Sequence, residues 1–151
     1  MHQIIELGQR MDLIDAAAQF VWKQFGNKDN YKFYEDAMQQ SCKTRSDLPR
    51  FYLALQGEQI VGSYALLRAD LVSRQDLYPW FGCLFVLPEF RGQKLGASLL
   101  AHAAAECKKK GYKKLYLCTN LDGYYEKYQW KFLADTYHVD GSKIKVYEKE
   151  T

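Results

Sequence analysis

Apolar residues recur three and four positions apart at Leu13, Ala16, Ala17, Phe20, Val21 and Phe25, which predicts an amphipathic helix over residues 13–25. Residues 4–7 read as a short strand before it, and residues 31–41 as a second helix with Tyr34, Ala37 and Met38 on one side. Two apolar runs, 51–55 and 60–67, are split by Gln56-Gly57-Glu58-Gln59, the pattern of a β-hairpin. Residues 68–78 are polar and read as a loop, and Trp80–Val86 as the next strand. The strongest helical pattern covers residues 96–110, with Leu99, Ala103 and Cys107 on one line and Leu100 and Ala104 beside it. Lys108, Lys109 and Lys110 lie at its negative end, and Gly111 follows as the residue that ends it. Then come a strand at 115–118, a short helix at 122–128, and two strands at 132–137 and 144–147 that close the sheet.

The strand–helix–strand unit from Trp80 to Cys118 requires a parallel pair with a right-handed crossover. The hairpins on either side are antiparallel. The fold class that follows is α/β (α+β), a mixed and mostly antiparallel sheet with a central parallel pair and helices on both faces. A chain of 151 residues suits one domain, 1–151, and 48% hydrophobic with 15% aromatic residues excludes disorder. A net charge of +3 is too mild for a nucleic-acid partner, which calls for a clustered basic face. Cys42, Cys83, Cys107 and Cys118 form no C-x-x-C pair, and Cys83, Cys107 and Cys118, in strand-like runs and a helix, read as small buried hydrophobes, so reduced thiols and a cytoplasmic location are expected. No run approaches 18 apolar residues and the N-terminus has no signal-peptide pattern, so no membrane partner is expected.

Chemistry concentrates in residues 81–100, FGCLFVLPEFRGQKLGASLL. A strand feeds a glycine-flanked basic loop that opens a helix. The first N–H groups of a helix lack intrahelical partners and point out of its positive end. Gly92 and Gly96 allow close backbone approach, and Arg91 and Lys94 add charge, so the loop suits a pyrophosphate-bearing cofactor. It is neither G-x-x-x-x-G-K-[ST] nor G-x-G-x-x-G. The loop resembles the acetyl-CoA loop of the GCN5-related N-acetyltransferases, the GNAT superfamily, whose pattern [Q/R]-x-x-G-x-[G/A] follows a strand ending Val-x-Pro. Arg91 fills the first position and Gly96 the last, Lys94 replaces the middle glycine, and Val86-x-Pro88 precedes the loop. The resemblance is specific over residues 79–133. It implies the GNAT fold and an acetyl-CoA site made by Leu84, Phe85, Val86, Arg91, Gly92, Gln93, Lys94, Leu95, Gly96 and Ala97, with the pantetheine arm on backbone at Leu84 and Val86.

A second stretch, Tyr124-Tyr125-Glu126-Lys127-Tyr128-Gln129-Trp130, resembles the family's late motif [F/Y]-Y-E-[K/R]-x-G-[F/W], with Gln129 in place of glycine. The resemblance makes Tyr125 the acid that protonates the departing thiolate, and a strand N–H the donor to the oxyanion. Asn120, at the end of the preceding strand, either caps the following turn or hydrogen-bonds the cofactor. Asp76 and Trp80 stand on the side where relatives take the acceptor. His2, His102 and His138 have no partner pattern and read as structural, Cys83 lacks a histidine to activate it, and no metal is expected. The implied activity is transfer of acetyl from acetyl-CoA to a primary amine of a small molecule or peptide, by direct attack in a ternary complex, with CoA as product. A catalytically silent acyl-CoA-binding regulatory module is the alternative. A monomer or homodimer is expected, and the acceptor and general base are not legible.

Overall fold

The computed structural model of the protein describes residues 2–151. Its elements follow the predicted order: β1 (Gln3–Glu6), α1 (Ile14–Phe25), α2 (Tyr31–Lys43), β2 (Arg50–Gln56), β3 (Gln59–Leu67), β4 (Trp80–Val86), α3 (Leu95–Lys109), β5 (Lys114–Thr119), β6 (Lys131–Tyr137) and β7 (Lys143–Glu150). The strands form one sheet in the order β1-β2-β3-β4-β5-β7-β6. It is mostly antiparallel with β4 and β5 as the parallel pair, as expected from the sequence. Parallel neighbours need a crossover, and α3 supplies it.

The chain divides into two compact units. The first runs to Ala65 and includes Cys83–Leu99. Here α1 buries Ala17, Ala18 and Val21, while Ala16 and Phe25 of the predicted stripe face solvent. Tyr52 of β2 and Tyr64 of β3 stack nearly parallel with centroids 4.5 Å apart, an arrangement that large flat rings on neighbouring strands favour. Gly62 in β3 lets the chain pass close to β4, because a Cβ there would sit 3.3 Å from the Phe85 carbonyl oxygen and 3.2 Å from Leu99.

The second unit is Leu66–Gly82 with Leu100–Thr151. Its core cluster is Val72, Trp80, Tyr116 and Val146, with Leu67, Leu77, Cys118, Leu133 and Ile144 packed on it. The parallel register sets Trp80 opposite Tyr116, and Tyr116 N donates to the Pro79 carbonyl at 3.1 Å. β7 lies between β5 and β6 and pairs with both in antiparallel register. The loop at 68–78 is less free than its polarity suggests. Val72 bridges His138, and Ser73 N reaches the Tyr137 carbonyl at 2.8 Å.

The short helix predicted over 122–128 is confined to a 3-10 turn at Tyr125–Tyr128. Gly123 with φ 81° breaks the helical path before it, a conformation glycine takes at little cost. Both helix ends of this unit use the same lock. After α3, Gly111 N reaches the Lys108 carbonyl and Tyr112 N the Cys107 carbonyl, each at 3.0 Å, the two bonds of a Schellman motif. After the 3-10 turn, Gln129 N reaches Glu126 and Trp130 N reaches Tyr125, each at 3.2 Å. Gln129 holds φ 65° there, so the turn keeps a glycine's geometry without the glycine.

Candidate active site

In the first unit the site begins with a backbone irregularity. Cys83, inside β4, has φ 55°, and its carbonyl accepts the buried Ser63 hydroxyl at 2.9 Å. A non-glycine residue at positive φ within a strand is strained, and such strain is characteristic of functional positions. Leu84, Phe85 and Val86 follow, each half-buried. Leu87 N is tied to the Val61 carbonyl at 2.9 Å, and Pro88–Phe90 makes a single 3-10 turn closed by Phe90 N to Leu87 O at 2.9 Å.

Arg91 does not reach into the loop. Its Nε donates to the Val86 carbonyl at 3.0 Å and its guanidinium lies 5.4 Å from the centroid of Phe85, a cation–π contact. Phe20 from α1 packs on the same Phe85 ring at 5.5 Å. The strand end is thus braced by Arg91, and the two Nη groups make no hydrogen bond among the described residues.

From Gly92 to Ala97 no backbone N–H has a hydrogen-bond partner among the described residues, and the first helical bond is Ser98 N to Lys94 O at 3.0 Å. Gly92 has φ 79° with open space where a Cβ would stand. Lys94 takes φ 63°, so the lysine adopts the backbone shape of the glycine it replaces. Gln93 and Lys94 are exposed, Gly96 and Ala97 are half-buried, and the Leu95 side chain is 3% exposed. Leu95 therefore offers its N–H and anchors the loop through its side chain. Six such donors, three in the loop and three in the first turn of a 15-residue helix, suit a doubly charged pyrophosphate, and the open Cβ direction at Gly92 fits close approach.

The second unit carries the tyrosine motif. Tyr125 is 9% exposed, and its hydroxyl has no hydrogen-bond partner among the described residues. Burial, with a smaller contribution from Tyr124, pushes the phenol up from 10.0 to about 12. Its ring meets Tyr124 at 4.9 Å, Trp130 at 6.2 Å and Tyr147 at 6.4 Å. Trp130 is also buried, and its Nε1 has no partner among the described residues.

Of the two roles open to Asn120, capping falls to its neighbour. Thr119 Oγ1 accepts Leu121 N at 2.9 Å, while Asn120 is exposed with no side-chain hydrogen bond among the described residues. Asp76 is exposed and held by Arg74 through two bonds of 2.9 Å, which keeps its carboxyl below the usual range. Trp80 is fully buried and donates Nε1 to the Leu77 carbonyl at 2.7 Å, so it shapes the core of its unit. The anchors that sequence reasoning missed are Ser63, which holds Cys83, and Thr119. Neither lies in a pattern that marks it.

Comparison with known proteins supplies the rest. The model of the acetyltransferase (GNAT) family matches residues 14–129. No curated protein is a match to the chain. Among solved structures it is similar to an aminoglycoside 6′-N-acetyltransferase complexed with coenzyme A, at 15% identity and TM-score 0.72, covering 98% of this chain and 96% of that one. It is similar to a GNAT family acetyltransferase from Elizabethkingia anophelis with acetyl-CoA bound, at 18% identity and TM-score 0.62 over 99% and 98% of the two chains. It is also similar to the ribosomal-protein-S18-alanine N-acetyltransferase of Escherichia coli, at 15% identity and TM-score 0.71 over 99% and 94%. Identities this low speak for a common fold, and the family match, which spans most of the chain, goes further: the protein belongs to the acetyltransferase (GNAT) family.

Proposed function

We propose that the chain is one N-acetyltransferase domain that moves an acetyl group from acetyl-CoA to a primary amine of a small molecule or peptide. The observation that carries this reading is the row of N–H groups from Gly92 to Ala97, running into the first turn of α3, that have no partner among the described residues. Relatives named for coenzyme A or acetyl-CoA complexes supply the cosubstrate. Relatives named for an aminoglycoside and for a ribosomal-protein alanine set the range of acceptors.

Bound acetyl-CoA supplies an acetyl thioester, whose carbonyl is open to attack by a neutral amine within a ternary complex. The residues divide the remaining work. Gly92–Ala97 bind the pyrophosphate through backbone, with Lys94 and the Arg91 Nη groups as added charge. Leu84–Val86 carry the pantetheine arm, and the Val86 carbonyl shares its lone pairs with Arg91. Asn120 is the further cofactor contact. Tyr125 is the donor for the departing sulfur. A phenol near 12 keeps its proton throughout the neutral range, so the group arrives at each turnover ready to donate. Asp76 is the acceptor-side carboxylate.

The test pairs binding with transfer. Titration calorimetry should show acetyl-CoA binding that Gly96→Val weakens about tenfold or more, because a branched side chain blocks backbone approach to phosphate. Thiol release against a panel of primary amines, aminoglycosides and peptide N-termini should identify the acceptor. Wild-type affinity in Gly96→Val would remove the phosphate site. Tight binding with no transfer to any amine would leave a silent acyl-CoA-binding module.

A further inference from the structure

The turn that carries Tyr125 cannot orient itself. It is one 3-10 turn of four residues, and a single turn has no stability of its own in water. The Tyr125 hydroxyl has no partner among the described residues, so nothing fixes the side chain from its tip either. Yet a proton donor must sit within about 2.6–3.2 Å of its target, and a misplacement of about 1 Å can cost 10²-fold.

The fixing groups come from β7. Lys145, Tyr147 and Lys149 alternate along the strand and therefore share one face. Lys145 Nζ donates to the Leu121 carbonyl at 3.0 Å and meets the Asp122 carboxylate. The Tyr147 hydroxyl donates to Glu126 Oε2 at 2.9 Å, one residue past Tyr125. Lys149 Nζ donates to the Tyr128 carbonyl at 2.7 Å. The contacts of these three residues bracket Tyr125 from both sides. The Tyr147 ring is itself 3% exposed and lies 6.4 Å from the Tyr125 ring, with Lys145 Nζ 5.7 Å from its centroid. The opposite face of β7 is anchored by Val146 in the core cluster, and the strand is paired on both edges. A strand paired on both edges thus holds a single turn, which has little stability of its own in water.

We propose that this face of β7 is the device that aims Tyr125, with Tyr147 as its central positioning residue. The proposal rests on Tyr125 being the proton donor. Tyr147 acts through the turn: its own proton is committed to Glu126, so it hands none to a substrate. Lys145 and Lys149 fix the backbone at the two ends, and Tyr147 fixes the middle.

A double-mutant cycle on the full chain separates aiming from general support. Tyr125→Phe and Tyr147→Phe are made singly and together, each keeping its ring. kcat is measured by thiol release with the best amine of the panel, or with water as acceptor if none is found. Tyr125→Phe should lower kcat about tenfold or more. Tyr147→Phe should lower it about three- to tenfold with acetyl-CoA affinity within about threefold of wild type, and should have no further effect in the Tyr125→Phe background. Amide exchange at Gln129 and Trp130, whose N–H groups close the turn, should quicken about tenfold in Tyr147→Phe without ligand present. Glu126→Leu, which removes the acceptor instead of the donor, should reproduce both effects.

An equal loss from Tyr147→Phe in both backgrounds, unchanged kcat in that variant, or unchanged exchange at the two amides would each overturn the proposal. A wild-type kcat in Tyr125→Phe alone would remove the donor assignment itself, and the aiming role with it. That result is read from the single variant and so stands apart from the others.

Discussion

Lys94 and Gln129, which stand at glycine positions of the two motifs they resemble, occupy the left-handed region at φ 63° and 65°. The Cβ cost there is about 1–2 kcal/mol. Glycine would recover part of it and lose about 0.5–1 kcal/mol through the unfolded chain. Gln129→Gly should therefore raise stability by up to about 1 kcal/mol, and Gln129→Val, whose branched Cβ tolerates positive φ least, should lower it by more than about 1 kcal/mol. Urea denaturation of both checks the order glycine, glutamine, valine. A valine variant as stable as wild type would show that the turn relaxes. Lys94 differs in setting, since its carbonyl opens α3 and accepts both Ser98 N and Ser98 Oγ. Lysine at that point exchanges some backbone ease for a cation beside the proposed phosphates.

At the scale of elements, α3 is the part most completely written in local sequence. Its apolar line, its C-terminal lysines and its closing glycine agree with one another. Gly111 at φ 89° makes the Schellman motif, and open space surrounds the position a Cβ would take. The cost of Gly111→Ala is then conformational without a steric part, about 1–2 kcal/mol. In a chain of this length that is a fall in Tm of about 2–8 °C, measured by calorimetry. Acetyl-CoA affinity should stay unchanged, because the Gly92–Ala97 donors lie at the other end of the helix. The 3-10 turn at Tyr125–Tyr128 is the contrary case. Its residues carry a recognisable motif, but the side chains that bond to it from outside, Lys145, Tyr147 and Lys149, lie about twenty residues further along the chain.

For the whole molecule, acids held away from water set the alkaline limit, although of the four cysteines only Cys107 is fully buried. Cys42, Cys83 and Cys118 are half-buried because each lies at the margin of its element's apolar face. Burial pushes the Cys107 and Cys118 thiols from 9.0 to about 12, and Tyr125 from 10.0 to about 12. A raised folded pKa on such a group means the unfolded chain releases its proton first. Stability from these groups is full below pH 9 and is lost as pH rises toward 12. Urea midpoints should be flat from pH 7 to 8.5 and then decline, and a Cys107→Ala, Cys118→Ala pair should flatten the decline. The same thiols should react slowly with a thiol reagent at pH 8 in the native state, since only the thiolate attacks. At the acid end, Arg74 holds Asp76 and Arg10 holds Asp12 below 3.8, so those contributions are lost only as pH falls below that value. Both pairs are exposed and worth little.

Short-range pattern determined most of the elements, because period, glycine and proline act over a few residues. Trp80–Val86, the α3 helix, the hairpin and both motifs could be read that way. The family resemblance was carried by two local stretches, and the family match covers them both. What only the tertiary structure decided was where long side chains go. Arg91 turned back onto Val86 and Phe85 because an aromatic face and a carbonyl lay within reach, a choice that no spacing encodes. Thr119 took the cap that Asn120 was equally suited to make. Trp80, a candidate for the acceptor side, is packed into the core of its unit. The placement of β7 beside β5, and with it the hold on Tyr125, depends on pairing between strands far apart in sequence, whose partner is selected by the energy of the assembled sheet.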